Sequence, residues 1–234
     1  MITNDAPASL ERRPLTVGNR TTTIHVGRPA PGSTTDAGVL VLHPWWGVND
    51  DVLRFVGRLV GAGFTVAAPD LFEGRVAKTI EEADQLSSSV DEDFGDAAVL
   101  AAVDELGRVI GDPGARLGVV GFSFGAAWAL WLPAQRPEVA ATVVYYGTMD
   151  GPSLSRARTP VLGHFAENDD YEPAETVAAI EQTLRTAGRD VAMHTYPATG
   201  HWFAEPSQAA YVETAAELAF ERTVEFLRRE LAAG

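Results

Sequence analysis

Cysteine is absent from the 234 residues, which excludes disulfides, thiolate metal sites and a cysteine nucleophile. Basic residues are scarce: 18 Lys and Arg stand against 32 Asp and Glu, a formal net charge of −14. DNA, RNA and anionic membrane surfaces present phosphates that need clustered Lys and Arg, so none of them is an expected partner. The excess of acid serves solubility. No apolar run reaches the roughly 18 residues of a bilayer-spanning helix. The first residues, Met-Ile-Thr-Asn-Asp-Ala-Pro, lack a basic start followed by an apolar stretch, so no signal peptide is expected. Together with the missing cysteines, this sets a cytoplasmic location as the expectation. HExxH and paired His or Cys spacings are also missing, so neither a metal nor another cofactor is expected.

What is present is a globular composition, 46% apolar and 21% charged, on a chain long enough to bury a core. Residues 1–15 are polar, with Pro7 and Pro14, and read as a tail or edge segment. Residues 16–234, without repeats, low-complexity linkers or charge blocks, read as a single domain. Thr21–Val26 alternates like a strand, and Arg28–Ala37 is a turn rich in Pro, Gly and Thr. Short apolar runs at Gly38–His43, Phe64–Ala68, Leu117–Gly121, Ala141–Tyr146, Pro160–Phe165 and Val191–Tyr196 read as buried strands. Helical periodicity marks Asn49–Leu59, with Asp50 or Asp51 as its cap, and Ala97–Val109, stopped by Gly111-Asp112-Pro113-Gly114. Further helices are expected at Ala126–Leu132, around Val177, Ile180 and Leu184, and from about Gln208 to the end; residues 71–90 read as a loop and an acidic helix. Strands alternating with helices imply an α/β fold with a mostly parallel sheet covered on both faces.

Gly121-Phe122-Ser123-Phe124-Gly125 matches G-x-S-x-G. The pattern alone is common, but here it directly follows an apolar strand and opens a helix, the setting of a nucleophile elbow. Such an elbow holds the serine in a strained conformation, and side chains two residues to either side would collide. Ser123 would then stand at a helix N-terminus, where developing negative charge is favoured.

A serine hydroxyl needs a base. Of the five histidines, His25, His164 and His194 fall inside predicted strands and read as packing or surface residues. His43 ends a strand and is expected at the rim of a site. His201 follows the last strand in Pro197-Ala198-Thr199-Gly200-His201-Trp202, on a loop of the kind that presents catalytic groups. It is also last in the chain order Ser, acid, His. The acid is expected after Pro160–Phe165, where Glu167, Asp169 and Asp170 are available; Asp169 is the first choice, Asp170 the alternative and Asp150 an outsider. An acid there would hold the imidazole tautomer.

One oxyanion donor should be the backbone N–H of Phe124. The other should come from His43-Pro44-Trp45-Trp46-Gly47. Pro44 has no N–H, so Trp45 is the first residue able to donate. Trp46, Phe122, Tyr145, Trp202 and Phe203 are the expected substrate-binding aromatics. A pocket of these side chains suits a neutral ester, lactone or thioester.

The segments HPWWGVND, AAPDLFEGR, VVGFSFG, VVYYGT, GHFAENDDYEP and YPATGHWFAEP, in that order, resemble the dienelactone hydrolase family over nearly the whole chain. The resemblance implies an α/β-hydrolase fold with little or no lid, a triad at Ser123, Asp169 and His201, and Trp45 as second oxyanion donor. The best-known members carry Cys at the nucleophile and Glu in the oxyanion loop, where this chain has Ser123 and Pro44. They also bind a substrate carboxylate with arginines, whereas the loop after the base here offers Glu205, which is expected to repel an anion. The expected partner is therefore a small ester or lactone, cleaved through an acyl-serine. Thioester hydrolysis, acyl transfer and a non-catalytic binding role on the same fold are the alternatives, and a homodimer is left open.

Overall fold

The computed structural model describes residues 10–30, 37–156 and 158–232. The expectations for residues 1–9 and for the 31–36 part of the turn lie outside the described residues. The chain divides into two compact units: residues up to Val41 with Trp46–Ala115, and Leu42–Trp45 with residues from Arg116 onward.

In the first unit, alternation of buried and exposed residues makes Glu11–Val17 (β1) and Arg20–Gly27 (β2) an antiparallel hairpin. Its turn carries Gly18 at φ +59°, a conformation without steric cost for glycine. Of the two readings for residues 1–15, a tail or an edge segment, residues 11–15 take the second, as part of β1. Pro14 is tolerated because β1 is an edge strand, with a side that needs no N–H in the ladder. Gly38–Leu42 (β3) and Thr65–Pro69 (β4) are buried throughout and run parallel to each other, with β2 antiparallel on the other side of β4.

Asp50–Gly61 (α1) is capped by Asn49, whose side chain accepts from Val52 N–H at 3.1 Å, rather than by either aspartate. Asp50 and Asp51 instead occupy the first turn, where their charge favours the helix dipole. Its buried stripe of Val52, Val56, Leu59 and Val60 contributes roughly 1.5–3 kcal/mol per side chain. Ile80–Ser88 (α2) is short and mostly exposed. Glu92–Ile110 (α3) starts five residues before the Ala97 that the periodicity suggests, because Asp91 accepts from Phe94 N–H, and ends on Gly111 at φ +86°.

In the second unit, Leu117–Phe122 (β5), Val139–Tyr145 (β6), Val161–Asn168 (β7) and Val191–Gly200 (β8) are parallel and ordered β5-β6-β7-β8. Phe124–Trp131 (α4), Pro152–Arg156 (α5), Ala174–Thr186 (α6) and Glu213–Ala232 (α7) connect or follow them. The last strand outruns its predicted end by four residues. Pairing resumes at Asn168 and Gly200 after a register shift, with Ala198 at φ +56°. Ala198 N–H donates to the Glu167 carboxylate at 2.8 Å, which ties the bend to β7. Among the described residues no helix is long and apolar enough to cross a membrane.

Candidate active site

The second unit contains the whole Ser, His and Asp constellation. At the end of β5 the chain reverses at Ser123, with φ +45° and ψ −111°. For a non-glycine residue this costs roughly 1–3 kcal/mol unless the surroundings hold it. Ser123 N–H donates to Tyr145 O at 2.9 Å, and Ala126 N–H donates to Ser123 O at 2.8 Å.

The flanking glycines are required by space. A β-carbon at Gly121 would lie 2.5 Å from Gly125 O and 2.7 Å from Ala126 Cα, and one at Gly125 would lie 2.5 Å from Leu42 O. A third glycine belongs to the same knot. A β-carbon at Gly147 would meet Ser123 O at 2.5 Å and Ala126 Cβ at 2.6 Å. The sequence pattern does not reveal it, because the close approach joins residues 24 apart only after β5 and β6 pair.

Ser123 Oγ lies 2.9 Å from His201 Nε2. His201 Nδ1 lies 2.8 Å from both carboxylate oxygens of Asp169. A carboxylate can only accept, so Nδ1 carries the proton and Nε2 is left to accept from the serine hydroxyl. The His201 and Asp169 side chains are 6% and 1% exposed. Asp169 Oδ1 also accepts from Tyr171 N–H at 2.9 Å and Glu172 N–H at 3.0 Å, so the loop's own backbone aims the carboxylate. The alternative acid, Asp170, is exposed.

Glu172 was not foreseen. Its carboxylate accepts from Thr148 N–H at 3.0 Å and Thr148 Oγ at 2.6 Å, joining the acid loop to the end of β6. Burial raises its pKa above the usual carboxylate value, and the Asp169 charge pushes the same way; the Thr148 hydrogen bonds and His201 oppose them. Its only sequence signal was another acid three residues after the first choice.

The expected substrate-binding aromatics separate into two groups. Phe122, Tyr145 and Phe203 are 4%, 0% and 0% exposed. Tyr145 stacks on Phe122 with centroids 4.6 Å apart, and its hydroxyl is 2.7 Å from Thr223 Oγ. These three support the site from behind and present no surface to a substrate. Trp46 is equally buried and lies in the first unit. Trp202 alone keeps an open face. It stacks on Trp45 at 5.9 Å, and Tyr171, half exposed, packs against both at 5.3 Å and 5.6 Å.

One other position differs from expectation. His43 is fully buried, with Nδ1 2.6 Å from Pro44 O and its ring stacked on Phe124, so it braces the Pro44–Trp45 backbone instead of forming a rim. Glu205, expected to repel an anion, is buried and accepts from the Tyr146 hydroxyl at 2.9 Å. Tyr146, held at φ +34°, lies with its ring 5.1 Å from that of His201.

The sequence profile of the Dienelactone hydrolase family matches residues 24–231. The chain belongs to the dienelactone hydrolase family. A curated relative, Protein usf of Aquifex pyrophilus, is 28% identical over 207 residues, covering 83% of this chain and 88% of its own. Among solved structures, a dienelactone hydrolase-like promiscuous phosphotriesterase from metagenomic libraries superposes with a TM-score of 0.84 at 20% identity, over 96% of this chain and 99% of the other. The dienelactone hydrolase of Anabaena variabilis gives 0.71 at 20% identity, over 96% and 99%. These likenesses give the chain the α/β-hydrolase fold of the dienelactone hydrolase family. In this hydrolase-family fold, Ser123, Asp169 and His201 directly follow β5, β7 and β8.

Proposed function

We propose that the chain is a serine hydrolase that cleaves small, neutral carboxylic esters or lactones through an acyl-serine intermediate. One observation carries this reading: an unbroken chain of contacts from the Ser123 hydroxyl through His201 to the buried Asp169 carboxylate, 2.9 Å and 2.8 Å long. In the proposed cycle, Ser123 Oγ attacks the carbonyl carbon while His201 Nε2 takes its proton. The oxyanion is met by the backbone N–H groups of Trp45 and of Phe124. The latter is the first residue of α4, at the end of the helix whose dipole favours negative charge. His201 then returns the proton to the leaving oxygen, the acyl C–O bond breaks, and water activated by the same imidazole releases the acid.

Neutral substrates are favoured because carboxylates surround the base: Asp169 contacts it directly, Glu172 sits beside Asp169, and Glu205 lies behind Tyr146. A serine nucleophile polarised by His201 has no thiol to control, which accords with Pro44 in place of the family's glutamate.

Hydrolysis of p-nitrophenyl acetate and labelling by a fluorophosphonate test the proposal together. Ser123→Ala is expected to abolish labelling and to lower kcat by roughly 10⁴- to 10⁶-fold. An unchanged rate in a folded variant would end the proposal.

A further inference from the structure

Triad geometry dictates which half of an ester lies where. The proton taken from Ser123 is returned from His201 Nε2 to the departing oxygen, so the alcohol half must pass within hydrogen-bond reach of that nitrogen, beside the imidazole ring. The acyl half stays on Ser123. Whatever borders the open side of His201 therefore borders the alcohol.

That border is aromatic. The Tyr171 ring is 4.9 Å from the His201 ring, and the Trp202 ring meets it edge-on at 5.3 Å. Trp45 closes the group, 5.6 Å from Tyr171 and 5.9 Å from Trp202. Tyr146 also touches His201, but it is wholly buried and faces nothing outside. Tyr171 is the exposed member, at 49%. Its position is set by the catalytic acid itself, because its backbone N–H donates to Asp169 Oδ1. A half-exposed ring held this firmly offers a preorganised apolar face for stacking.

Resting on the serine hydrolase reading, we propose that Tyr171, Trp202 and Trp45 form the leaving-group subsite, and that it selects esters whose alcohol half is aromatic. In acylation the bond from Ser123 Oγ to the acyl carbon forms, the bond from that carbon to the alcohol oxygen breaks, and the oxygen takes its proton from Nε2. The aromatic alcohol leaves across Tyr171. Deacylation follows from an acyl-enzyme that is the same whichever alcohol departed, so the subsite acts on acylation alone.

Benzyl butyrate and ethyl butyrate share an acyl group and release alcohols of similar acidity. For the unaltered protein the ratio of their kcat/KM values is expected to favour the benzyl ester about tenfold. Tyr171→Ala should lower that ratio about tenfold, whereas Tyr171→Phe should keep it, since the ring and the backbone bond to Asp169 both remain. Trp202→Leu, tested separately, should lower it in the same direction. Single-turnover release of butyrate from the acyl-enzyme should move with none of the ratio changes.

A ratio unmoved by Tyr171→Ala and by Trp202→Leu overturns the subsite. So does a deacylation rate that falls in step with the benzyl ester, because that is the mark of a disturbed Asp169. If the unaltered protein labels at Ser123 and turns over ethyl butyrate while the ratio stays fixed, the subsite alone is wrong. If Ser123 neither labels nor turns over either ester, the hydrolase reading fails and the subsite falls with it.

Discussion

Two histidines of the second unit are almost equally deep, His164 at 0% and His201 at 6% exposure, yet their surroundings are opposite. His164 Nδ1 lies 2.8 Å from the Tyr196 hydroxyl, and Nε2 lies 3.0 Å from Thr223 Oγ. Arg222 donates to Tyr196 at 3.2 Å, and Thr223 donates to Ala219 O at 2.9 Å. The network closes only if Tyr196 donates to Nδ1 and Nε2–H donates to Thr223, so the imidazole is neutral. A second ring proton would leave the Tyr196 hydroxyl accepting twice with its own hydrogen unplaced. Burial first, then the neighbouring His194 and Arg222 charges, hold the His164 pKa well below its ordinary 6.5.

His201 has a carboxylate on one nitrogen and a strained serine on the other. Depth is common to both rings; what separates a packing histidine from a candidate base is whether an anion stands ready to receive its positive charge.

The sharpest way to break this contrast is to remove the anion. Asp169→Asn is expected to lower kcat/KM by roughly 10⁴-fold with the fold intact, because the amide no longer dictates the imidazole tautomer. Steady-state kinetics on p-nitrophenyl acetate measure it, and a fall of less than about tenfold would erase the distinction between the two sites.

His164→Leu should do the reverse. Leaving buried hydroxyls unsatisfied is expected to cost about 2–4 kcal/mol of stability, read by urea denaturation, with kcat of the folded fraction nearly unchanged. The pH dependence sharpens the same point. The folded pKa of His164 is depressed, so below about 6.5 the unfolded chain binds a proton that the native state refuses. Stability should therefore decline as pH falls through and below that value, with His25 and His194, also depressed chiefly by burial, adding in the same direction. Urea midpoints from about pH 8 to about pH 5 should show a shallower slope for His164→Leu than for the unaltered protein. An equal slope would show that this ring is not the group responsible.

The smallest effect is expected at Asp170, adjacent to the acid but exposed. Asp170→Asn should change kcat/KM by less than about twofold. A loss comparable to that of Asp169→Asn would transfer the acid's role to it.

The order of strands and helices was readable because each leaves a local periodicity, and the elbow because its strain demands glycines at fixed spacing. Less readable were features made by pairing. Whether the segment holding Pro14 was a tail or an edge segment was decided only by its pairing with β2. Gly147 looked ordinary until β6 brought it against Ser123. Among the aromatics, the sequence could not tell Phe122, Tyr145 and Phe203, which fill the interior, from Trp202, which keeps an open face. All are large aromatic side chains, and only the packing of neighbours decides which ring is covered. Tyr171 and Glu172 were passed over because their roles arise from contacts with His201 and Thr148, remote in sequence.

From the amino-acid sequence alone came the α/β alternation, the family resemblance and a choice of serine, histidine and acid, since all three are carried by short-range patterns. Tertiary structure decided which carboxylate meets the imidazole, which aromatic rings stay open and which histidine is locked neutral. The reason is distance along the chain: Ser123 and His201 are separated by 78 positions, and Asp169 and His201 by 32. No local preference reaches that far; parallel strands bring their ends together, and side-chain chemistry then sorts the groups that meet there.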